Sequence, residues 1–346
     1  METENKKSVL LTGVSGFLGS HTAIQLLEKG YEVTGTLRSM KRAGEIKELI
    51  ARHTLEVGSL KFAEADLLDR SVWNELTKGI DFVQHVASPF PRKFPRHEEE
   101  LIRPAREGTL NVLKAASANR VKRVVLTSSI AAVMYGREKV KRSGTYNESN
   151  WTDVTNRKDT TPYYRSKTLA ERAAWDFMTN DKSGMELVSV CPGAILGPVL
   201  KNDFGTSANM VIRMLNGSMP AIPKIGFEFV DVRSVADLLI RAMEIPQAAN
   251  QRFLATAGYL SLSEMAGILR RAYPGRKIPS RQVLSLLVPL AAAFDKSLKL
   301  ILSDLDAVRK ADHSRAAEML QWQPIPAEEA ILSCARSVID LKIVPA

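Results

Sequence analysis

Only two cysteines, Cys191 and Cys334, occur in 346 residues. Two thiols make neither a disulfide framework nor a cysteine metal cluster, and they suit a reducing compartment. A run long enough to cross a membrane is also missing. The longest uncharged stretch, residues 187–200, is broken by Pro192, Gly193, Gly197 and Pro198, and a membrane helix needs about 20 apolar residues. No secretory apolar region follows the polar start Met1-Glu-Thr-Glu-Asn-Lys-Lys7. The expectation is a cytoplasmic protein with no membrane partner. The basic residues, 48 Lys+Arg against 38 Asp+Glu for a net charge of +10, are dispersed. Without an aromatic-studded basic tract, a nucleic-acid partner is not expected. Most of that charge reads as solvated surface, with a share available to a cofactor phosphate.

What is present is a 45% hydrophobic chain of about two-domain length. Short β-branched runs at 8–12, 31–37, 60–65, 82–86, 121–127 and 187–191 read as strands. Helical patterns at 16–29, 42–52, 69–78, 98–119 and 162–179 separate them. This alternation predicts the α/β class: a Rossmann, doubly wound parallel sheet. Residues 1–192 are expected to be the dinucleotide-binding domain. Residues 193–346 are expected to be a smaller, mostly helical substrate-binding region, some of which returns to the sheet. Residues 192–230, rich in Pro and Gly, read as irregular. Ser261-Leu-Ser-Glu264 is a capping box that opens a helix to about Tyr273. Ser314 and Pro326 each precede another helical pattern. The apolar segment 283–302 reads as a buried helix pair broken by Pro289.

Thr12-Gly-Val-Ser-Gly-Phe-Leu-Gly19 lies between a strand and a helix. One glycine permits the tight turn, one lets backbone approach a pyrophosphate, and one lets helix and strand pack closely. Gly13, Ser15, Gly16, Phe17, Leu18 and Gly19 are therefore candidate cofactor-binding residues, with the helix N-terminus facing the phosphates. An NAD enzyme usually carries Asp or Glu about 20 residues further on. Here the sequence is Thr36-Leu-Arg-Ser-Met-Lys-Arg42. Arg38 can pair with a 2′-phosphate through its planar fork, and Lys41 or Arg42 adds charge, so NADP(H) is the expected cofactor. Asp66, after the third strand, could accept a hydrogen bond from adenine or cap the next helix.

Reduction of a carbonyl needs a proton donor, and a tyrosine with a lysine one helical turn away, whose positive charge lowers the phenol pKa, is a sensible pair. The spacing occurs three times. Tyr135 to Lys139 passes through a Gly in a charged loop, and Tyr273 to Lys277 passes through Pro-Gly. Only Tyr163-Tyr-Arg-Ser-Lys167 continues into a helical run. Thr127-Ser128-Ser129 ends a strand, where a hydroxyl can polarise a carbonyl, although such a pair alone also reads as a simple turn.

The stretches TGVSGFLGS, YEVTGTLRS, EADLLD, HVASPF, VVLTSSIAAV, PYYRSKTLAERAAW and CPGAILGP together resemble an extended short-chain dehydrogenase/reductase. More narrowly, the chain resembles the dihydroflavonol reductase, cinnamoyl-CoA reductase and aldehyde or carbonyl reductase group. FVDVRSVADL and SRAAEMLQWQP continue the likeness. The resemblance implies Ser129, Tyr163 and Lys167 as catalytic residues, Tyr163 being the general acid and Lys167 also binding ribose. It implies Arg38 at the 2′-phosphate, Asp66 and Leu67 at adenine, and Val86, Ala87 and Ser88 along the nucleotide cleft. Pro192, Gly193 and Ile195 would lie along the nicotinamide. Phe90, Met134 and Phe204 would touch substrate, with residues 204–219 and apolar C-terminal segments forming a greasy pocket.

Three departures narrow the substrate. Met134 stands where dihydroflavonol reductases have an asparagine. TPYYRSK replaces the NWYCYGK-type stretch of cinnamoyl-CoA reductases, and the asparagine of the epimerase NVxGT pattern is missing from Arg103-Pro-Ala-Arg-Glu-Gly108. The expectation is a metal-free monomer or homodimer that reduces a small aldehyde or ketone. A sugar-nucleotide epimerase or dehydratase, or a non-catalytic NADP(H)-binding regulator, are the alternatives.

Overall fold

The computed structural model describes residues 6–89, 95, 97–202, 204–289 and 301–345. The first half alternates strictly. Strand β1 (Ser8–Thr12) leads to α1 (Phe17–Glu28), β2 (Glu32–Leu37), α2 (Ala43–Ala51), β3 (Leu60–Glu64), α3 (Arg70–Leu76), β4 (Phe82–His85), α4 (Glu99–Ala118) and β5 (Arg123–Thr127). After the short strand β6 (Gly144–Tyr146) come α5 (Pro162–Asn180) and β7 (Glu186–Pro192). Residues 192–230 are not the irregular stretch that their Pro and Gly content suggested. They contain β8 (Ala194–Leu196), α6 (Ala208–Leu215) and most of β9 (Gly226–Asp231), because the prolines and glycines sit in the joints. The chain continues through α7 (Val232–Glu244), β10 (Arg252–Ala255), β11 (Tyr259–Ser261), α8 (Leu262–Ala272), β12 (Arg309–Ala311), α9 (Ser314–Leu320) and α10 (Ala327–Asp340).

Seven strands form one parallel sheet in the order β10-β7-β5-β4-β1-β2-β3. It is a doubly wound Rossmann sheet, and the order reverses between β1 and β4. A crevice opens at such a switch point, beyond the carboxyl ends of the strands. Side chains alternate across the sheet, as a period of two requires. Val9 and Leu11 of β1 join Val125, Val188 and Val190 in the core beneath α1 and α7. Leu10, Val124, Leu126 and Leu187 join the opposite core, beneath α3, α4 and α5. Helices covering both faces explain why the strands are near-continuous apolar runs.

The second half makes a smaller layer of its own. Strands β8, β9 and β11 form a three-stranded sheet, and α6, α8 and α10 pack with it in a separate apolar core. Its helix α8 starts at the expected box, with Ser261 and Glu264 each bonding the other's backbone N–H. Strand β12 pairs in parallel with β6, which ties residues 309–311 to the segment following β5. The expected buried helix pair at 283–302 differs in its described part. Residues 285–287 form a 3-10 turn, Leu286 and Leu287 in it and Leu284 before it are exposed, and 290–300 lie outside the described residues. Among the described residues no helix is long and apolar enough to cross a membrane.

One buried cation stitches the sheet to its helical cover. Arg123 donates to the carbonyls of Ala242 (2.9 Å), Met243 (3.1 Å) and Ile245 (2.7 Å) at the end of α7, and to Glu186 at 2.7 Å. It thereby satisfies carbonyls that the helix end leaves open. Arg123→Ala strands those acceptors and the Glu186 carboxylate, and should lower the unfolding free energy by about 3–5 kcal/mol. Lys29→Ala breaks a surface pair with Glu244 (3.0 Å) and should cost only about 0–1 kcal/mol. Urea titration of both variants checks this, and equal losses would refute the capping role of Arg123.

Candidate active site

The cleft at the switch point has a volume of about 720 Å³ and is lined by residues from both halves of the chain. Its floor is the loop between β1 and α1. Gly13 adopts φ +73°, and a Cβ there would come within 3.0 Å of the Ala87 backbone. A Cβ on Gly19 would lie 2.1 Å from the Gly13 carbonyl oxygen, which no side chain can tolerate. The loop is thus closed up against both β4 and its own helix, as a phosphate-approaching turn requires. Gly16 is the N-cap of α1 and supplies no side-chain cap, so the first helical N–H groups have no side-chain acceptor. A dinucleotide pyrophosphate fits this cradle by charge and by space. Gly13, Ser15, Gly16, Phe17, Leu18 and Gly19 all line it.

Further along, Arg38 follows β2, exposed on the cleft wall, and no ion pair holds it among the described residues. Lys41 differs from expectation. It sits exposed on the 3-10 turn Met40–Arg42 and does not line the cleft, because the turn carries its backbone away. Arg42 is paired with Glu45 at 3.4 Å. Asp66 and Leu67 line the cleft, and Asp66 accepts from the Leu68 N–H at 2.8 Å. The cap of α3 is Asp69, which leaves Asp66 to the cleft. Val86, Ala87, Ser88, Pro192, Gly193 and Ile195 complete the wall.

Ser129, Tyr163 and Lys167 converge on this cleft from two elements. Ser129 follows β5. Tyr163 and Lys167 lie on α5, whose start is fixed by Pro162 in the first turn and by the Thr161 hydroxyl, which accepts from the Tyr164 N–H. The i,i+4 spacing puts both side chains on one face. Tyr163 and Ser129 are hydrogen bonded through their hydroxyls. Burial pushes the Tyr163 phenol up to about 12, with Ser129 pulling the other way. This departs from the expectation that Lys167 would set the phenol low. The Lys167 Nζ instead donates to the Thr127 carbonyl at 3.2 Å, and burial pushes the ammonium down to about 8.

Beneath the trio lies a second layer, apparent only from the structure. Glu171, one further turn along α5, is fully buried. It accepts from Arg252 of β10 at 2.7 and 3.1 Å, from Ser128 at 2.7 Å and from Ser189. Burial alone would push this carboxyl up, yet Arg252 and the two serines hold it below the usual carboxylate range. The Arg252 guanidinium also lies 3.8 Å from the centroid of the Trp151 ring. Helical periodicity from Lys167 could have flagged Glu171; nothing in the sequence links it to Arg252.

The substrate residues fared differently. Met134 is buried with Val133, Tyr146 and Cys191 and does not reach the cleft, because the 3-10 turn Ile130–Ala132 rotates it into the core. Its neighbour Tyr135 lines the cleft instead. Phe204 packs against the α6–α8–α10 core rather than the cleft, while Gly205, Thr206 and Ser207 line it. That wall is accordingly more polar than the greasy pocket expected. Phe90 lies outside the described residues. Tyr164 and Phe227 also line the cleft. Tyr164 donates to Asp304 at 3.1 Å, and Asp304 is 140 residues away in sequence.

A family model described as the NAD dependent epimerase/dehydratase family matches residues 9–254. The chain is 37% identical over 281 residues to tetraketide alpha-pyrone reductase 1 of Arabidopsis thaliana, covering 80% of this chain and 84% of that protein. It is 34% identical over 312 residues to the ketoreductase azaE of Aspergillus niger, covering 84% and 90%. The crystal structure of yeast methylglyoxal/isovaleraldehyde reductase Gre2 complexed with NADPH superposes with a TM-score of 0.79 at 25% identity, covering 97% of this chain and 99% of that one. On the extent of the family match, the chain belongs to the NAD dependent epimerase/dehydratase family, the extended short-chain dehydrogenase/reductases.

Proposed function

We propose that this NADP-dependent oxidoreductase reduces an aldehyde or ketone to an alcohol, with Tyr163 as the proton donor. The observation that carries the reading is the convergence of Ser129, Tyr163 and Lys167 on the same cleft as the glycine loop. The relatives support it by name, as reductases of carbonyl-bearing compounds. Residues 1–192 act in this reading as the cofactor domain and 193–346 mainly as the substrate region.

NADPH, when bound, supplies the hydride. The glycine loop and the start of α1 would hold its pyrophosphate, and Arg38 its 2′-phosphate. Tyr163 is protonated throughout the physiological range, since burial lifts it to about 12. A phenol in that state is an acid awaiting a stronger base, which a developing alkoxide is. The Ser129 hydroxyl beside Tyr163 can turn its one proton from the phenol to the same substrate oxygen. Lys167 keeps its proton near neutrality, and among the described residues one of its three donors is spent, on the Thr127 carbonyl. The remainder serve ribose hydroxyls and lower the cost of negative charge forming on Tyr163.

Three measurements test this. Tyr163→Phe should reduce kcat by roughly 10²–10⁴-fold or more on an aldehyde and ketone panel while NADPH binding persists. Undiminished turnover would refute the assignment. Arg38→Ala should cut the NADPH-over-NADH preference by roughly 10–100-fold, the value of a charge-assisted contact; an unmoved ratio removes Arg38 from the cofactor site. For pH, the active form carries Lys167 charged, and burial sets its loss near 8. The kcat/KM for NADPH, which reports the free enzyme, should therefore fall as pH rises through about 8. A profile flat through that region would remove Lys167 from the mechanism.

A further inference from the structure

The Lys167 ammonium is buried, yet the mechanism above needs it charged. Among the described residues, the titratable groups around it are Tyr163 and Glu171 on α5, His85 at the end of β4 and Cys191 of β7. Burial keeps three of these neutral near pH 7. It lifts the Tyr163 phenol and the Cys191 thiol to about 12 and lowers His85 to about 3. Glu171 is the exception. Burial pushes its carboxyl up too, but Arg252, Ser189 and Ser128 hold it below the usual carboxylate range. It is therefore the one anion of the four. Lys167, Thr127, Ser128 and Glu171 share a cavity of about 10 Å³ beneath the cleft, at the lower limit for a single water. Little solvent screens the carboxylate from the ammonium there.

The same carboxylate reaches the strand end opposite α5. Its Oε2 accepts from the Ser128 hydroxyl at 2.7 Å and from Arg252 Nη2 at 3.1 Å. Its Oε1 accepts from Arg252 Nε at 2.7 Å and from Ser189. Ser128 stands between Thr127, whose carbonyl accepts from Lys167 at 3.2 Å, and Ser129, which is bonded to Tyr163. Arg252 is itself anchored, donating to the carbonyls of Glu148 at 2.6 Å and Asn150 at 3.0 Å. Glu171 thus joins the helix that carries Tyr163 and Lys167 to the strand end that meets both.

Taking the reductase reading as given, we infer that Glu171 is a positioning residue for the reduction, with two separable actions: through Ser128 it sets the 127–129 strand end opposite Tyr163 and Lys167, and through its negative charge it steadies the Lys167 ammonium. Arg252 and Ser189 hold Glu171 in place and touch no reacting group.

The test measures kcat, the KM for NADPH and the pH dependence of kcat/KM in the wild type and three variants, with NADPH binding followed by fluorescence. Glu171→Gln keeps the shape and removes the charge. An ammonium that loses its neighbouring anion gives up its proton at lower pH. The fall in kcat/KM, set near 8 in the wild type, should therefore begin roughly one pH unit lower. Ser128→Ala keeps the charge and cuts the tie to the strand end. It should lower kcat by roughly 10-fold with the KM for NADPH within about twofold, and leave the pH of the fall where it was. Glu171→Gln strands the buried Arg252, so the double variant Glu171→Gln with Arg252→Gln, which buries no unpaired charge, is measured beside it. The fall should move down there as well, since Glu171 is the charged group acting on Lys167. An unmoved fall in Glu171→Gln or in the double variant, or wild-type kcat in Ser128→Ala, overturns the inference and leaves the reductase reading intact. NADPH binding by the wild type with no aldehyde or ketone reduced overturns both.

Discussion

The site depends on one buried carboxylate. Glu171 occupies the inner face of α5, and its two oxygens are held by Arg252, Ser128 and Ser189. A buried ion pair is a weak source of net stability, since desolvating both charges offsets their attraction. Its geometric consequence is larger. A helix packed by apolar side chains alone can settle by small rotations. One clamped through a carboxylate to the β10 edge of the sheet and to the loop after β5 cannot. Tyr163, Lys167 and Glu171 recur every four residues, so fixing the last fixes the azimuth of the other two. Ser128 is bonded to the same carboxylate, and the adjacent Ser129 is thereby held opposite Tyr163.

That arrangement also sets the protonation states. Placing a phenol and an ammonium on the buried side of a helix penalises the charged form of each, moving the phenol up and the lysine down. The outcome is a neutral acid beside a cation that still holds its proton at neutral pH, a combination suited to donating a proton into a forming alkoxide. His85, buried between Thr12 and Thr109, is pushed down to about 3 and stays neutral. Its loss of charge keeps the ammonium of Lys167 from facing a second cation beneath the cleft.

What the sequence made legible was local. The glycine loop, the strand–helix alternation, the Ser261 capping box and the Tyr163–Lys167 pair each lie within a few residues of chain. Local sterics and periodicity act over that range. Met134 failed because a single 3-10 turn exchanges the facing of successive residues, so that 135 reaches the cleft and 134 does not. Phe204 failed because hydrophobicity places a residue in some core without saying which. Residues 192–230 failed because proline and glycine mark joints as readily as loops, and the elements between those joints are only 3–8 residues long. Arg252, Asp304 and Arg309 were invisible for a different reason. Each acts through a partner 81 to 150 residues away, and no spacing rule spans such a distance.

These three residues share an origin in the second half of the chain, and that shapes how the fold divides its labour. Tyr163, Lys167 and the glycine loop all come from the first half, with its β1–α1 turn and its α5. The second half sends back a strand, β10, whose Arg252 steadies α5, and a short strand, β12, that docks on β6 and brings Arg309 and Asp304 against Tyr135 and Tyr164. On the proposed function, the first group would serve reaction at a carbonyl, which is common to many substrates, and the second would face the remainder of the substrate. Burial moves the Asp304 carboxyl up to about 6 against the pull of Arg309 and the two phenols. An apolar side chain in its place would fill the same space without that cost. A group whose burial is unfavourable and whose partners face a cleft is better accounted for by what enters the cleft than by what it adds to the core.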